Sequence, residues 1–239
     1  HDFEYAWKTA VDPRTASQYN YILFFVKGAE DVANVEIPDE KEDAEGYKAA
    51  LANLQEAMDN MGVKAIDDQH LVVTLEAPST FFLSLTAFST YYPLNEKAHK
   101  EWGEAYATEP DKMLYCGPFV IDEWKHGSKL VLKKNSNYWD AANVKLDEVV
   151  FYAIDDNNTA YNMFLNGEID WSTNVPLDQI EAASIRRDYH RAPQLATYYY
   201  VFQTEKAPFD DVRVRKALAM SFDRDALVDQ VLRGGQIPA

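Results

Sequence analysis

The spacing of apolar residues changes period between Tyr47 and Leu75. Tyr47, Leu51, Leu54, Met58 and Met61 recur at intervals of four, three, four and three, which keeps one face of an α-helix apolar. Gly62 follows, where a left-handed helix C-cap belongs. Val63 to Ile66, a turn at Asp67-Asp68-Gln69 and His70 to Glu76 then read as a hairpin, with Leu71, Val73 and Leu75 on one face. A chain that alternates these two periods is neither all-helical nor all-β.

The mixture continues along the sequence. A first helix reads from about Asp2, its only nearby cap, to Val11 and stops at Asp12-Pro13, because proline disfavours helical geometry in the residue before it. After Gly117-Pro118 comes a second hairpin: Phe119 to Trp124, a turn at His126-Gly127-Ser128, and Lys129 to Lys133. Glu148 to Ile154 reads as a strand, Asn158 to Asn166 as a helix closed by Gly167, and Ile169 to Trp171 as a short strand. Pro176 suits the first turn of a helix through about Arg187. Thr197 to Gln203 reads as an aromatic strand, with Tyr199 on one face and Tyr198 and Tyr200 on the other. Two helices capped by Asp210 and Asp223 follow, the second ending at Gly234. The expected fold class is α/β in the mixed α+β sense, without internal repeats.

Size and charge narrow the function. At 239 residues and 47% hydrophobic the chain is long enough for one large or two modest domains. Its most apolar stretch, Phe81 to Tyr92, is short and interrupted by Ser and Thr, and falls below the ~18 residues of a membrane helix. The 12 Phe, 15 Tyr and 5 Trp beside only 9 Gly and 10 Pro exclude a disordered or collagen-like chain. A net charge of −16 disfavours nucleic acid as a partner, since phosphate binding needs clustered Lys and Arg. Glu30 to Glu45 carries eight acids and one Lys, and reads as a solvated loop. The sequence opens on His1-Asp2-Phe3 without an initiator Met and closes abruptly at Gly234 to Ala239, which reads as a piece of a longer protein.

Catalytic signatures are missing. The phosphate-binding G-x-x-x-x-G-K-[ST] loop, G-x-G-x-x-G, G-x-S-x-G and H-E-x-x-H do not occur. The five histidines lie at least 27 residues apart, so no local metal-ligand spacing exists. Cys116 is the single cysteine; it rules out an internal disulfide and reads as a small buried hydrophobe. Asp67-Asp68, Asp155-Asp156 and Asp210-Asp211 sit where turns and helix caps want an acid. No enzyme, cofactor or metal site is expected.

Several ordered motifs carry a resemblance. They are Asp12-Pro13-Arg14-Thr15-Ala16-Ser17, Gly62 to Asp68 with Val72-Val73-Thr74-Leu75, Gly117-Pro118-Phe119, Asn137-Tyr138-Trp139-Asp140, Gly167-Glu168-Ile169-Asp170, and above all Lys206 to Leu218 followed by Asp223-Arg224. Together they resemble the oligopeptide-binding branch of the extracytoplasmic solute-binding proteins of bacterial ABC importers, family 5. The resemblance implies part of a two-lobed, periplasmic-binding-protein type II-like fold with an extra accessory domain. On it, residues 1–90 belong to the accessory domain, 91–196 to the main ligand-binding lobe, and 197–239 to the crossover and start of the opposite lobe. It further implies capture of short peptides in extended form through main-chain hydrogen bonds, delivery to permease subunits in the membrane, and a monomer in the periplasm or lipid-anchored at the cell surface.

Site residues follow from the same resemblance. Tyr19 matches a tyrosine that touches the peptide backbone, and Thr173 and Asn174 match polar residues beside side-chain pockets. Tyr199 matches an aromatic at the cleft. Phe88 stands where close relatives carry a pocket histidine, which makes that pocket more apolar here; Ala196 stands where some members have a disulfide cysteine. The rival readings are a non-peptide cargo (nickel chelate, heme or oligosaccharide), a peptide sensor without transport, and, from the acids and aromatics, a glycoside hydrolase.

Overall fold

Helix α1 (Asp2–Val11) begins the chain and buries Ala6, Trp7 and Val11. A computed structural model describes residues 1–192 and 194–238. As expected, the helix ends at Asp12, whose backbone is extended before Pro13. The Asp12 carboxylate then accepts from the Arg14 amide at 2.9 Å and pairs with its guanidinium at 2.6 Å. Asp2 is no cap: His1 holds that position without a side-chain bond, and the Asp2 carboxylate meets Asn95 Nδ2 at 3.3 Å.

The chain divides into two units, one of residues 1–126 and 130–150, the other of residues 127–129 and the chain from Phe151 on. In the first unit a 3-10 helix (Asn20–Phe25) leads through Val26 to helix α2 (Ala29–Ala33). The acidic run is therefore helical at its start. Its acids are all exposed as expected, while Ala29 and Val32 pack fully inward.

Helix α3 (Ala44–Asn60) starts at Asp43, whose carboxylate accepts from the Gly46 amide at 2.8 Å. The residues picked out by periodicity face inward: Leu54 and Met61 are buried, Tyr47, Leu51 and Met58 half-buried. Gly62 is not the left-handed cap; its φ lies outside the positive region. Its constraint is space. A Cβ there would meet the Thr74 carbonyl oxygen and, at 2.9 Å, Lys27 Cβ. The crowding comes from a closed set of backbone hydrogen bonds: Gly62 to the Lys27 carbonyl (2.7 Å), Lys27 to the Thr74 carbonyl (2.9 Å) and Thr74 to the Gly62 carbonyl (2.7 Å).

Strands β1 (Val63–Ala65) and β2 (Leu71–Val73) pair antiparallel, Val63 opposite Val73. An isolated bridge between Val26 and Leu75 extends the ladder. Short helices α4 (Phe82–Leu85) and α5 (Glu96–Trp102) follow. The core of this unit gathers Trp7, Val11, Leu23, Val26, Val32, Leu54, Val63, Phe82 and Tyr91. A second sheet has the order β3 (Phe119–Lys125), β4 (Lys129–Lys134), β5 (Glu148–Tyr152). Cys116 is exposed, which corrects the buried reading; it lies in the irregular segment before β3.

In the second unit helix α6 (Asn157–Leu165) is capped by Asp156, which accepts from the Thr159 amide at 2.7 Å, and Gly167 has the left-handed φ of 74° expected after it. Ile169 to Trp171 is not a strand. After Pro176 only a 3-10 turn and helix α7 (Ile180–Ser184) form, short of Arg187. Helix α8 (Val212–Ala219) is capped by Asp211, not Asp210. Helix α9 (Arg224–Ala226), capped by Asp223, runs into a π-helical turn that ends at Arg233, with φ 53°, instead of at Gly234.

Thr197 to Gln203 carries no strand pairing. Tyr198, Tyr199, Tyr200 and Val201 are 90%, 71%, 76% and 81% exposed. A strand needs a partner for its N–H and C=O groups, and none lies beside this segment among the described residues. Its alternation survives locally: the Tyr198 and Tyr200 rings meet edge to face at 6.1 Å.

Candidate functional site

A hollow of about 420 Å³ opens on the first unit between two short helical segments. Tyr21, Ile22 and Phe25 come from the 3-10 helix; Ser84, Leu85, Ala87 and Phe88 come from α4 and the turn after it. Each segment turns one side into the core and the other to this groove. Leu23 is fully buried on the first and Phe82 nearly so on the second.

The walls are held by tyrosine hydroxyls, one reaching out of the core and one lying on the surface. Tyr91, 1% exposed, donates from its hydroxyl to the Ile22 carbonyl at 2.7 Å. Its ring stands edge-on to Trp7 at 5.1 Å and to Phe82 at 5.9 Å, and its own carbonyl accepts from Trp7 Nε1 at 2.9 Å. Burial pushes the Tyr91 phenol up to about 12, so at ordinary pH it is a fixed donor. Tyr92 donates to the Ala87 carbonyl at 3.0 Å. The Phe25 carbonyl accepts from the Glu76 amide at 3.0 Å, which ties the first wall to the chain leaving β2.

Two residues picked out in the sequence meet here. The rings of Tyr19 and Phe88 pack edge to face with centroids 5.4 Å apart, and Tyr19 also lies 6.3 Å from Tyr21. Phe25 and Phe81 form a similar pair at 5.3 Å. Tyr21, Phe25 and Phe81 were not singled out in the sequence. The available signal was the density of rings at 19, 21 and 25 and again at 81 and 88 in two segments without strong helical or strand periodicity.

The other three candidates lie in the second unit. Thr173 and Asn174 are exposed neighbours in the loop before Pro176, where Ser172 Oγ donates to the Asn174 carbonyl at 3.0 Å. Tyr199 lies on the exposed extended segment. A second hollow in that unit, about 680 Å³, includes none of them; Glu181, Arg191, Asp229 and Arg233 contribute charges of both signs, with Arg233 3.9 Å from Glu181.

No group of three or more His, Cys, Asp or Glu side chains among the described residues is placed to hold a metal. No described helix is long and apolar enough to cross a membrane. Asp67, Asp156 and Asp211 each accept backbone amides at turns or caps. What the first unit presents is an apolar groove edged by aromatic rings.

The family described as bacterial extracellular solute-binding proteins, family 5 Middle, matches residues 1–239. The chain belongs to this family. Among family 5 relatives, the oligopeptide-binding protein OppA of Bacillus subtilis is 39% identical over the whole chain, which spans 41% of that protein. The probable deoxycholate-binding periplasmic protein YgiS of Escherichia coli is 36% identical over the same full length and 41% of its own. The structure of Listeria monocytogenes OppA bound to peptide superposes with a TM-score of 0.82 at 32% identity, covering 100% of this chain and 44% of that one. The chain thus spans about two fifths of the length of the relatives it matches, and shares their mixed α/β fold.

Proposed function

We propose that this chain is part of the solute-binding subunit of a bacterial ABC importer that captures short peptides and passes them to membrane permease subunits. The observation that carries the reading is the likeness to a peptide-bound family member across the full length of the chain. Tyr19 and Phe88 are assigned peptide contacts within the first unit, and Thr173, Asn174 and Tyr199 are assigned peptide contacts within the second. Residues 1–90 belong to an accessory domain, 91–196 to the main lobe and 197–239 to the start of the opposite lobe. Two lobes that close on a ligand by hinge motion are the mechanical expectation for such a receptor. Main-chain hydrogen bonds supply affinity that does not depend on sequence, and wet pockets tolerate varied side chains. The protein works as a monomer outside the cytoplasm, lipid-anchored or periplasmic, without catalysis or a cofactor.

Native mass spectrometry of the intact protein, purified without unfolding, tests this. A ladder of added masses resolving into short peptides is the expected result. A single non-peptide adduct, a bile acid for instance, redirects the cargo. A bare protein that ignores a pooled peptide library refutes peptide capture.

A further inference from the structure

Two stretches far apart in the chain meet in the second unit around an open, polar hollow. Helix α7 supplies Ile180, Glu181 and Ser184, and the segment after it Arg191; the helical turn after α9 supplies Val228, Asp229, Gln230 and Arg233, followed by Gly235. The chain that joins these two sides passes through the exposed tyrosine segment, which carries no strand pairing. Each side has a single buried residue, Ala183 on α7 and Val228 on the turn, and the hollow they share, about 680 Å³, stays open. Separating such sides uncovers little apolar surface, so burial alone does not weld them together.

The contacts between the sides are directional instead. Arg233 ends the turn with φ 53°; its amide donates to the Val228 carbonyl at 2.9 Å and its Nε to the Gln230 carbonyl at 2.9 Å. Those bonds hold the root and middle of the side chain and leave Nη1 3.9 Å from Glu181 Oε2. Two residues on, the Arg191 guanidinium lies against Gly235, where a Cβ would stand 2.8 Å from its Cζ and 3.1 Å from its Nε. A side chain already held by other bonds gives up less freedom when it pairs. The Glu181 and Arg233 side chains are 88% and 50% exposed, so water reaches the pair and it breaks and reforms at small cost. We propose that Glu181–Arg233 and Arg191–Gly235 form a latch across the ligand cleft that holds the receptor closed and slows release of the bound peptide. This rests on the peptide-capture reading and on residues 197–239 beginning the opposite lobe, which puts α7 and Arg191 on one lobe and Val228 to Gly235 on the other. The latch touches no peptide; it acts by stabilising the closed state alone.

The test follows the intact protein by two readouts: the dissociation rate of a pool of fluorescently labelled short peptides, and compaction on adding that pool, read by small-angle X-ray scattering. Glu181→Arg sets two guanidinium groups against each other, and Arg233→Glu sets two carboxylates. Each variant releases peptide about two- to fivefold faster, the effect of a solvent-reached ion pair, and compacts less fully than wild type. Combining Glu181→Arg with Arg233→Glu restores both readouts, a rescue that a direct peptide contact at Arg233 does not produce. Arg191→Gln takes the guanidinium off Gly235 and speeds release in the same direction with the ion pair intact. Variants that release peptide at the wild-type rate, or an exchanged pair that fails to restore it, overturn the latch and leave peptide capture standing. A wild-type protein that neither binds the pool nor compacts with it removes the reading on which the latch rests.

Discussion

Replacing Gly62 with alanine tests the closed set of hydrogen bonds among residues 27, 62 and 74. The added Cβ falls against the Thr74 carbonyl oxygen and within 2.9 Å of Lys27 Cβ, both fixed by the bonds that Gly62 itself makes. Relief requires the strand entry to move. Overpacking costs about 1–3 kcal/mol, and one strained or lost backbone bond adds about 1 kcal/mol. Alanine returns about 0.4–1 kcal/mol by restricting the unfolded chain. The net is a destabilisation of about 1–3.5 kcal/mol, centred near 2. With a urea dependence of about 2 kcal/mol per M, the midpoint falls by about 1 M. Urea titration followed by tryptophan fluorescence reads this unit well, because Trp7 is 3% exposed in its core. Gly62→Asn separates this account from a left-handed cap, since asparagine tolerates that conformation and suits such a cap. Crowding predicts that Asn is at least as damaging as Ala. An alanine variant within about 0.5 kcal/mol of wild type, with asparagine milder still, would refute the reasoning.

Two further outcomes are expected. Tyr91→Phe strips the donor from the Ile22 carbonyl and lowers stability by about 1–2 kcal/mol. Burial holds the folded Tyr91 phenol up to about 12, above its unfolded value near 10. Its contribution is therefore complete below about pH 10 and is lost as pH rises through about 12; urea titrations across that window show a shallower alkaline decline for Tyr91→Phe. Cys116 is exposed, so a thiol-specific disulfide reagent titrates one equivalent per native chain without denaturant, and slow labelling that speeds up only in urea contradicts the exposure.

Legibility in the sequence followed from where the physics is local. Helix α3 was readable because four of its inward residues and Met61 at its C-cap share one stripe, and α1 because Pro13 marks its end. Asp67 and Asp156 were readable as turn and cap acids, since each binds amides two or three residues away. What failed depended on distant neighbours. Gly62 looked like a cap, yet its constraint is set by Lys27 and Thr74. The tyrosine segment had the right alternation for a strand but no adjacent partner. Helix α2 was hidden because Glu30 and Asp31 outweigh the small inward residues Ala29 and Val32 in any local charge count. The Tyr19–Phe88 contact joins residues 69 positions apart, and no local pattern reports such a pair. Resemblance named both residues; only the fold gave them Tyr21, Phe25 and Phe81 as company.

The tyrosine hydroxyls that brace the groove separate its residues into two kinds. Tyr91 belongs to the interior, wedged against Trp7 and Phe82 while holding Ile22, so a change there is a change in folding. Tyr19, Tyr21 and Phe88 are 49%, 56% and 39% exposed, and a replacement at any of them leaves that brace in place. Substitution can therefore reshape the ring surface at three positions without disturbing the backbone that presents it, whereas at Tyr91 surface and fold change together.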